Sequence, residues 1–202
     1  MGQIGDAYHG VRTRVNALVV GADVDAVAPA KPEWTVRDLL AHVVGVTADV
    51  VQGNLDGVGT DPWTARQVAA RRDRTVEELL AEWNEHGPVV ESMADQFGRS
   101  GTQLLTDAST HEHDIRGALG RPGARDADAV EIAFRYAGDA LGHDLDGAGH
   151  GALVAITPEA SPPSGPASPR SRCGPRASSS CAPRRDDGVR RRSPPTTGMA
   201  QR

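Results

Sequence analysis

The chain has 202 residues, enough for one domain with a real core, and its formal charge of −5 is unevenly spread: residues 1–157 carry 13 Lys+Arg against 24 Asp+Glu, a net of −11, whereas residues 158–202 carry 9 Arg against 3 acids, a net of +6. An acidic body disfavours a nucleic-acid surface, and Arg-rich sequence at the end is by itself a weak signal for one. There is no apolar run long enough to span a bilayer and no signal-peptide apolar region at the N-terminus, so a cytoplasmic protein with no membrane contact is expected.

In chain order, the first element is a helix over Tyr8 to Val20, with Val11, Val15, Leu18 and Val19 at helical spacing. "PAKPEWT" breaks the chain. In "TVRDLLAHVVGVTADVVQGN", Thr35 is a natural N-cap with Asp38 three residues on. Leu39, Val43, Val46 and Val50 form one stripe, and Gly53-Asn54 ends the helix. "DPWTARQVAARRD" reads as a short helix starting near Pro62. Thr75 and Glu78 repeat the start signal in "TVEELLAEWNEHGPVVESMADQFG", a helix that Pro88 is expected to kink or divide. "TQLLTDASTHEHDIRGALG" follows. The last helix runs from about Ala127 to Leu145, with Val130, Phe134, Ala137 and Leu141 turned inward. No strand signal is convincing before Ala152. The body, residues 1–150, is therefore an all-α bundle of four or five helices.

Residues 151–157, within "GALVAITPEA", read as a linker or the start of a truncated second domain. From Pro158 to Arg202 patterning stops. That stretch holds nine of the fourteen prolines, eight serines and both cysteines, and Val189 is its only large aliphatic residue besides Met199. It cannot bury enough apolar surface to offset the entropy of ordering, so a disordered tail is expected over 158–202. Its Pro, Arg, Ser, Ala and Gly content also fits a shifted reading frame of GC-rich DNA, so a frameshift product stays open beside a natural tail.

"DASTHEHDIRG", residues 107–117, is the densest cluster of chemistry-bearing groups. The body lacks cysteine, so any metal there must use His and carboxylate ligands. On a helix, positions four apart share a face and positions two apart point about 200° apart. Asp107 and His111 are therefore neighbours, with Asp114 on the same line. Leu104, Ala108, Ile115 and Ala118 mark the buried side, so Asp107 and His111 are expected to look into the bundle, and Glu112 and His113 mainly outward. His42 sits in the apolar stripe of the second helix. Alone, each reads as well as a satisfied core histidine or an ordinary i, i+4 pair. Together, a His and an Asp-x-x-x-His pair offer three ligands and an open position, the catalytic zinc arrangement. His9, His86, His143 and His150 are expected at the surface.

Two blocks, "PEWTVRDLLAHVVGV" and "DASTHEHDIRGALGRPG", resemble actinobacterial proteins with a mycothiol-dependent maleylpyruvate isomerase N-terminal domain, within the DinB-like superfamily of metal-binding four-helix bundles. The resemblance covers roughly residues 8 to 146. It implies a metal held by His42, Asp107 and His111, with Asp107 standing where the family has a Glu, one methylene longer. Zinc is the metal most in keeping with this set. Asp114 fits either a partner that orients a ligand from behind or a surface ion pair with Arg116 or Arg121. The resemblance implies a mycothiol-dependent isomerase or thiol S-transferase, in which the metal activates a small-molecule thiol as thiolate against an electrophilic or carboxylate substrate. The alternative is a non-catalytic metal-binding bundle acting as an interaction or stress-associated protein. No catalytic or thiol-binding residue is assigned, and a homodimer is left open.

Overall fold

In the computed structural model, residues 2–150 and Val154 are described. The chain divides into two units, 1–153 and 154–202, and every element below belongs to the first. The sequence expectations for 158–202, and for most of 151–157, fall outside the described residues.

Among the described residues the fold has six α-helices and one short hairpin: α1 (Gln3–Val19), β1 (Val27–Ala28), β2 (Lys31–Thr35), α2 (Val36–Gln52), α3 (Asp61–Arg71), α4 (Val76–Met93), α5 (Arg99–Ala118) and α6 (Asp128–Gly147), with a 3-10 turn at Ala94–Phe97. α1 and α2 each pack against both α4 and α5, which closes a four-helix ring. α3 lies on α2, and α6 lies on α5 and α1. The core is built from Tyr8, Val11, Val19, Leu39, Leu40, Val44, Leu79, Trp83, Leu105 and Ile115, all essentially sealed from water. The all-α bundle read from the sequence is the fold observed, with six helices among the described residues rather than four or five.

Local signals account for the two capped helices. Thr35 Oγ1 accepts from the Asp38 N–H at 3.2 Å while Asp38 accepts from the Thr35 N–H at 3.0 Å. Thr75 and Glu78 do the same for α4. Each such box satisfies two otherwise orphaned donors and is worth about 1 kcal/mol. Gly53 closes α2 in the left-handed region at φ 75°, where a side chain would be strained.

Four expectations need correction. α1 starts at Gln3 rather than near Tyr8, because the Asp95 carboxylate accepts from the backbone N–H groups of Ile4 and Gly5 and caps the helix from 90 residues away. Pro88 does not divide α4. It is exposed, so the carbonyl it leaves unpaired stays within reach of water. The hairpin β1–β2 is present although no strand was expected there; its strands are only two and five residues long, too short for alternation to register. α6 runs over the expected span but with another face inward. Ala129 is buried, and Ile132, Ala133, Tyr136 and Ala140 are half-buried, whereas Phe134, Ala137 and Leu141 are exposed. α6 meets the bundle through Ala129, with Ile132 packed against the core, so Phe134 and Leu141 do not mark its inner side.

The ring also buries a connected run of polar groups. Trp83 Nε1–H donates to the Tyr8 hydroxyl at 3.3 Å, Tyr8 donates to Thr47 Oγ1 at 2.7 Å, and Thr47 donates to the Val43 carbonyl at 2.8 Å. Every proton in the run is committed, which is what makes these groups tolerable in the core. Burial pushes the Tyr8 phenol up to about 12, against the hydrogen bonds with Thr47 and Trp83.

Candidate metal centre

α2 and α5 are neighbours in the ring, and this brings His42 beside Asp107 and His111. His42 Nε2 lies 3.6 Å from Asp107 Oδ2, and His111 Nε2 lies 3.5 Å from Asp107 Oδ1. One ligand atom from each of the three falls within 4.8 Å of the others. Trp34, on β2, covers both imidazoles: its ring stands edge-on to His42 at 5.4 Å and stacks on His111 at 6.1 Å. Lys31 Nζ sits 4.6 Å above the same indole. The hairpin missing from the sequence reading thus supplies one wall of the cluster.

Both rings are held from behind through Nδ1. His111 Nδ1 is 3.0 Å from Asp114 Oδ2. Asp114 thus contacts His111 rather than either arginine. Arg116 pairs with Glu112, and Arg121 reaches the Leu18 carbonyl. His42 Nδ1 is 2.9 Å from Gln67 Oε1 on α3, and Gln67 Nε2–H donates to Asp49 Oδ2 at 2.9 Å. Each Nδ1 is occupied, so each Nε2 is the free nitrogen, and both Nε2 atoms face one carboxylate.

The donor set fits a divalent metal. A tetrahedral ion with bonds of about 2.0–2.1 Å separates its ligand atoms by about 3.3 Å. The two imidazoles approach different oxygens of Asp107, at 3.5 and 3.6 Å, and one atom from each residue lies within 4.8 Å of the others, so a small turn of these side chains would bring the three onto one ion. Asp107 Oδ2 is sealed from solvent, yet no hydrogen-bond donor among the described residues reaches it. A buried acceptor without a donor costs about 1–3 kcal/mol and is rare in a native fold. The short Asp107 side chain nevertheless spans the gap to both imidazoles.

Without a metal the cluster behaves as a coupled acid–base group. Burial alone would depress His111, but the Asp107 and Asp114 carboxylates on either side of the ring, the latter hydrogen-bonded to Nδ1, outweigh it and raise its pKa to about 9. Burial likewise opposes ionisation of Asp107, and contact with His111 and His42 overcomes it, holding the carboxyl well below the usual carboxylate range.

The rest of the "THEHD" string sorts differently from the sequence reading. Glu112 is not outward: it is buried at 1% exposure and accepts from Arg14 at 2.8 and 2.7 Å and from Arg116 at 3.0 Å. It lies one turn past Ala108, well inside the buried arc of α5, where α1 brings Arg14 to meet it. His113 is half-buried and takes no part in the cluster. Among the other histidines, His143 and His150 are exposed. His86 is half-buried within the continuous α4, and His9 is half-exposed against Glu91 at 3.1 Å.

Sequence reasoning did not find Trp34, Gln67 or Asp49. Two of them carried a signal. Asp49 lies seven residues after His42, two turns along the same face, and Gln67 is the uncharged polar member of an inward Trp63–Gln67–Arg71 line.

The sequence model of the family described as "Mycothiol maleylpyruvate isomerase N-terminal domain" matches residues 5–146. No curated protein and no solved structure matches the chain. With most of its length inside that match, the chain belongs to the mycothiol maleylpyruvate isomerase N-terminal domain family.

Proposed function

Proceeding from that membership, we propose that His42, Asp107 and His111 hold a divalent metal ion, zinc in the first instance. The protein then acts as a mycothiol-dependent enzyme of the maleylpyruvate isomerase-like or thiol S-transferase type. The observation that carries the reading is the convergence of two Nε2 atoms on a carboxylate whose sealed Oδ2 has no hydrogen-bond donor. Two neutral imidazoles and one carboxylate leave a bound divalent ion with residual positive charge, which favours a fourth ligand that is an anion. Such an ion supplies one piece of chemistry, holding a thiol as the nucleophilic thiolate.

This chain's own residues do the remaining work. His42 and His111 present lone pairs from fixed rings, and Asp107 contributes the neutralising charge. Trp34 covers the imidazoles and limits water around them. Asp114 holds the His111 ring by its far nitrogen, so that Nε2 is the atom on offer. Residues 1–157 contain no cysteine, which supports a thiol that arrives as a small molecule. The cytoplasm, where such a thiol is kept reduced, is the compartment that suits this chemistry. None of the described helices is long and apolar enough to cross a membrane.

Metal analysis of the purified full chain is the first test. His42→Ala and His111→Ala each abolish stoichiometric zinc, while His113→Ala retains it. Loss of zinc in His113→Ala alone would sink the assignment. Thiol-dependent turnover of maleylpyruvate or another electrophile by the zinc-loaded protein then supports the enzyme. Zinc without turnover leaves a metal-binding bundle.

A further inference from the structure

Gln67 is a fully polar side chain at 2% exposure in the seam between α2 and α3. The seam is unusually close there. A Cβ on Gly45 would lie 2.5 Å from the Gln67 Cβ, so α3 reaches this depth only because residue 45 has no side chain. The approach sets the amide between two groups of α2, His42 and Asp49.

The hydrogen-bond logic of these three residues has one solution. The Asp49 carboxylate offers only acceptors, so the Gln67 group facing it must be the NH2, as the 2.9 Å contact from Nε2 to Oδ2 requires. The Gln67 carbonyl must then face His42, at 2.9 Å from Nδ1. A carbonyl cannot donate, so the proton of that contact belongs to His42 Nδ1. A neutral imidazole with its proton on Nδ1 carries its lone pair on Nε2, the atom 3.6 Å from Asp107 Oδ2. Asp49 therefore determines, through one amide, which nitrogen of His42 is free. On the other side of the cluster, Asp114 holds His111 Nδ1 directly at 3.0 Å. Both rings are held at Nδ1 by different routes, His111 through a carboxylate and His42 through a carboxylate relayed by an amide. Asp49 also lines an open cavity of about 440 Å³ and so keeps contact with water at the outer end of the relay.

We propose that Asp49 and Gln67 are positioning residues, a two-member relay that fixes His42 in the Nδ1–H tautomer so that its Nε2 is available as a ligand. This rests on the metal-centre reading above for its purpose, but not for its chemistry, because the tautomer is set in the metal-free protein. Neither residue touches the ligand cluster except through the far side of His42. Gln67 could only be replaced by a residue that both fits against Gly45 and presents an acceptor to the imidazole.

Two measurements on the full chain test the relay. Long-range proton–nitrogen NMR of the zinc-free protein, recorded above neutral pH, reads the His42 tautomer. A single Nδ1–H form is expected in the unchanged protein and a mixture in Asp49→Ala, where the freed amide can turn over. Competition against a chromophoric chelator reads zinc affinity. Asp49→Ala and Gln67→Met, the latter keeping length and packing, should each weaken zinc binding by about 10- to 100-fold. Because the two act in series, the double variant should be no weaker than the weaker single variant. Asp49→Asn, which keeps an acceptor for Gln67, should recover most of the affinity lost in Asp49→Ala. An unchanged His42 tautomer in a folded Asp49→Ala protein overturns the relay, as do additive losses in the double variant. Failure of the unchanged protein to bind zinc overturns the metal centre, and the tautomer measurement still decides the relay.

Discussion

Asp107 and Glu112 are carboxylates five residues apart on α5, and the fold treats them in opposite ways. Glu112 is the more deeply buried, and its oxygens are saturated by Arg14 and Arg116. Asp107 is about a third exposed overall, yet one of its oxygens is sealed and receives no hydrogen bond, while two imidazole nitrogens stand just outside hydrogen-bond reach. On the metal-centre reading proposed above, the difference separates an acid that serves the fold from one that serves a ligand. A charge that serves the fold is matched to donors that cannot lose their protons, here two guanidiniums. A charge that awaits a ligand is matched to groups that can give way. Burial alone would have ranked the two carboxylates the wrong way round.

The sharpest way to break the comparison is to neutralise each acid in turn. Glu112→Gln leaves two guanidiniums facing a neutral amide, and breaking a buried pair of this kind costs about 3 kcal/mol. Urea unfolding should show that loss, with zinc content per folded molecule unchanged. Asp107→Asn should do the reverse, abolishing zinc while lowering the stability of the metal-free protein by less. If the two variants have the same stability cost, or if folded Glu112→Gln has lost its zinc, the division of labour along α5 is wrong.

A smaller effect separates the two clusters by pH. The folded-state pKa of His111 is raised from its ordinary 6.5 to about 9. The stability it contributes is fully present below pH 6.5 and is lost as pH rises through 9. Asp107 is held low, so its contribution is present above the ordinary carboxylate range and is lost on acidification. The metal-free protein should therefore be most stable between roughly pH 5 and 6.5, and should lose on the order of 2 kcal/mol by pH 9.5. Guanidiniums do not titrate in that window. Glu112→Gln should shift the whole curve down without changing its shape, and Asp107→Asn should flatten it. Zinc competes with the His111 proton, so its affinity should rise with pH up to about 9 and then level off. A zinc affinity that does not vary with pH would mean that His111 is not a ligand.

Much of this was legible in the sequence because it depends on local geometry. The Thr35 and Thr75 boxes are written within four residues, and the helical period alone brings Asp107 and His111 onto one side and places His42 in an apolar stripe. What was not legible depends on partners far away in the chain. The position four after Ala108 faces inward on any helix, but a Glu is tolerable there only because Arg14, 98 residues earlier, reaches it. The first turn of α1 exists because Asp95 caps it. The Gln67 relay needs α3 to meet α2 at Gly45. α6 misled for another reason: Phe134 and Leu141 are exposed while Ile132 on another face packs against the core, and no periodicity argument distinguishes an apolar stripe that is covered from one that is not.

Asp114 gives the finest test, because it borders both clusters without belonging to the saturated one. Its carboxylate accepts from His111 Nδ1 at 3.0 Å, and neither Arg116 nor Arg121 turns its guanidinium to it. Asp114→Asn keeps an oxygen that can accept the same hydrogen bond but removes the charge. His111 should then titrate lower, since the Asp114 charge is one of the causes that lift it. Zinc affinity at neutral pH feels two opposing effects. A less basic ring releases its proton more readily, yet it is a weaker donor and is held less firmly. Loss of such a supporting partner costs metal affinity about 10-fold, which outweighs the gain from easier deprotonation once the pH is high enough that His111 is already neutral. The deficit of Asp114→Asn should therefore be largest above pH 9 and shrink towards neutrality, read by chelator competition across that range. An Asp114 that served only as a surface ion pair would leave zinc affinity untouched at every pH and would show its loss in urea unfolding instead.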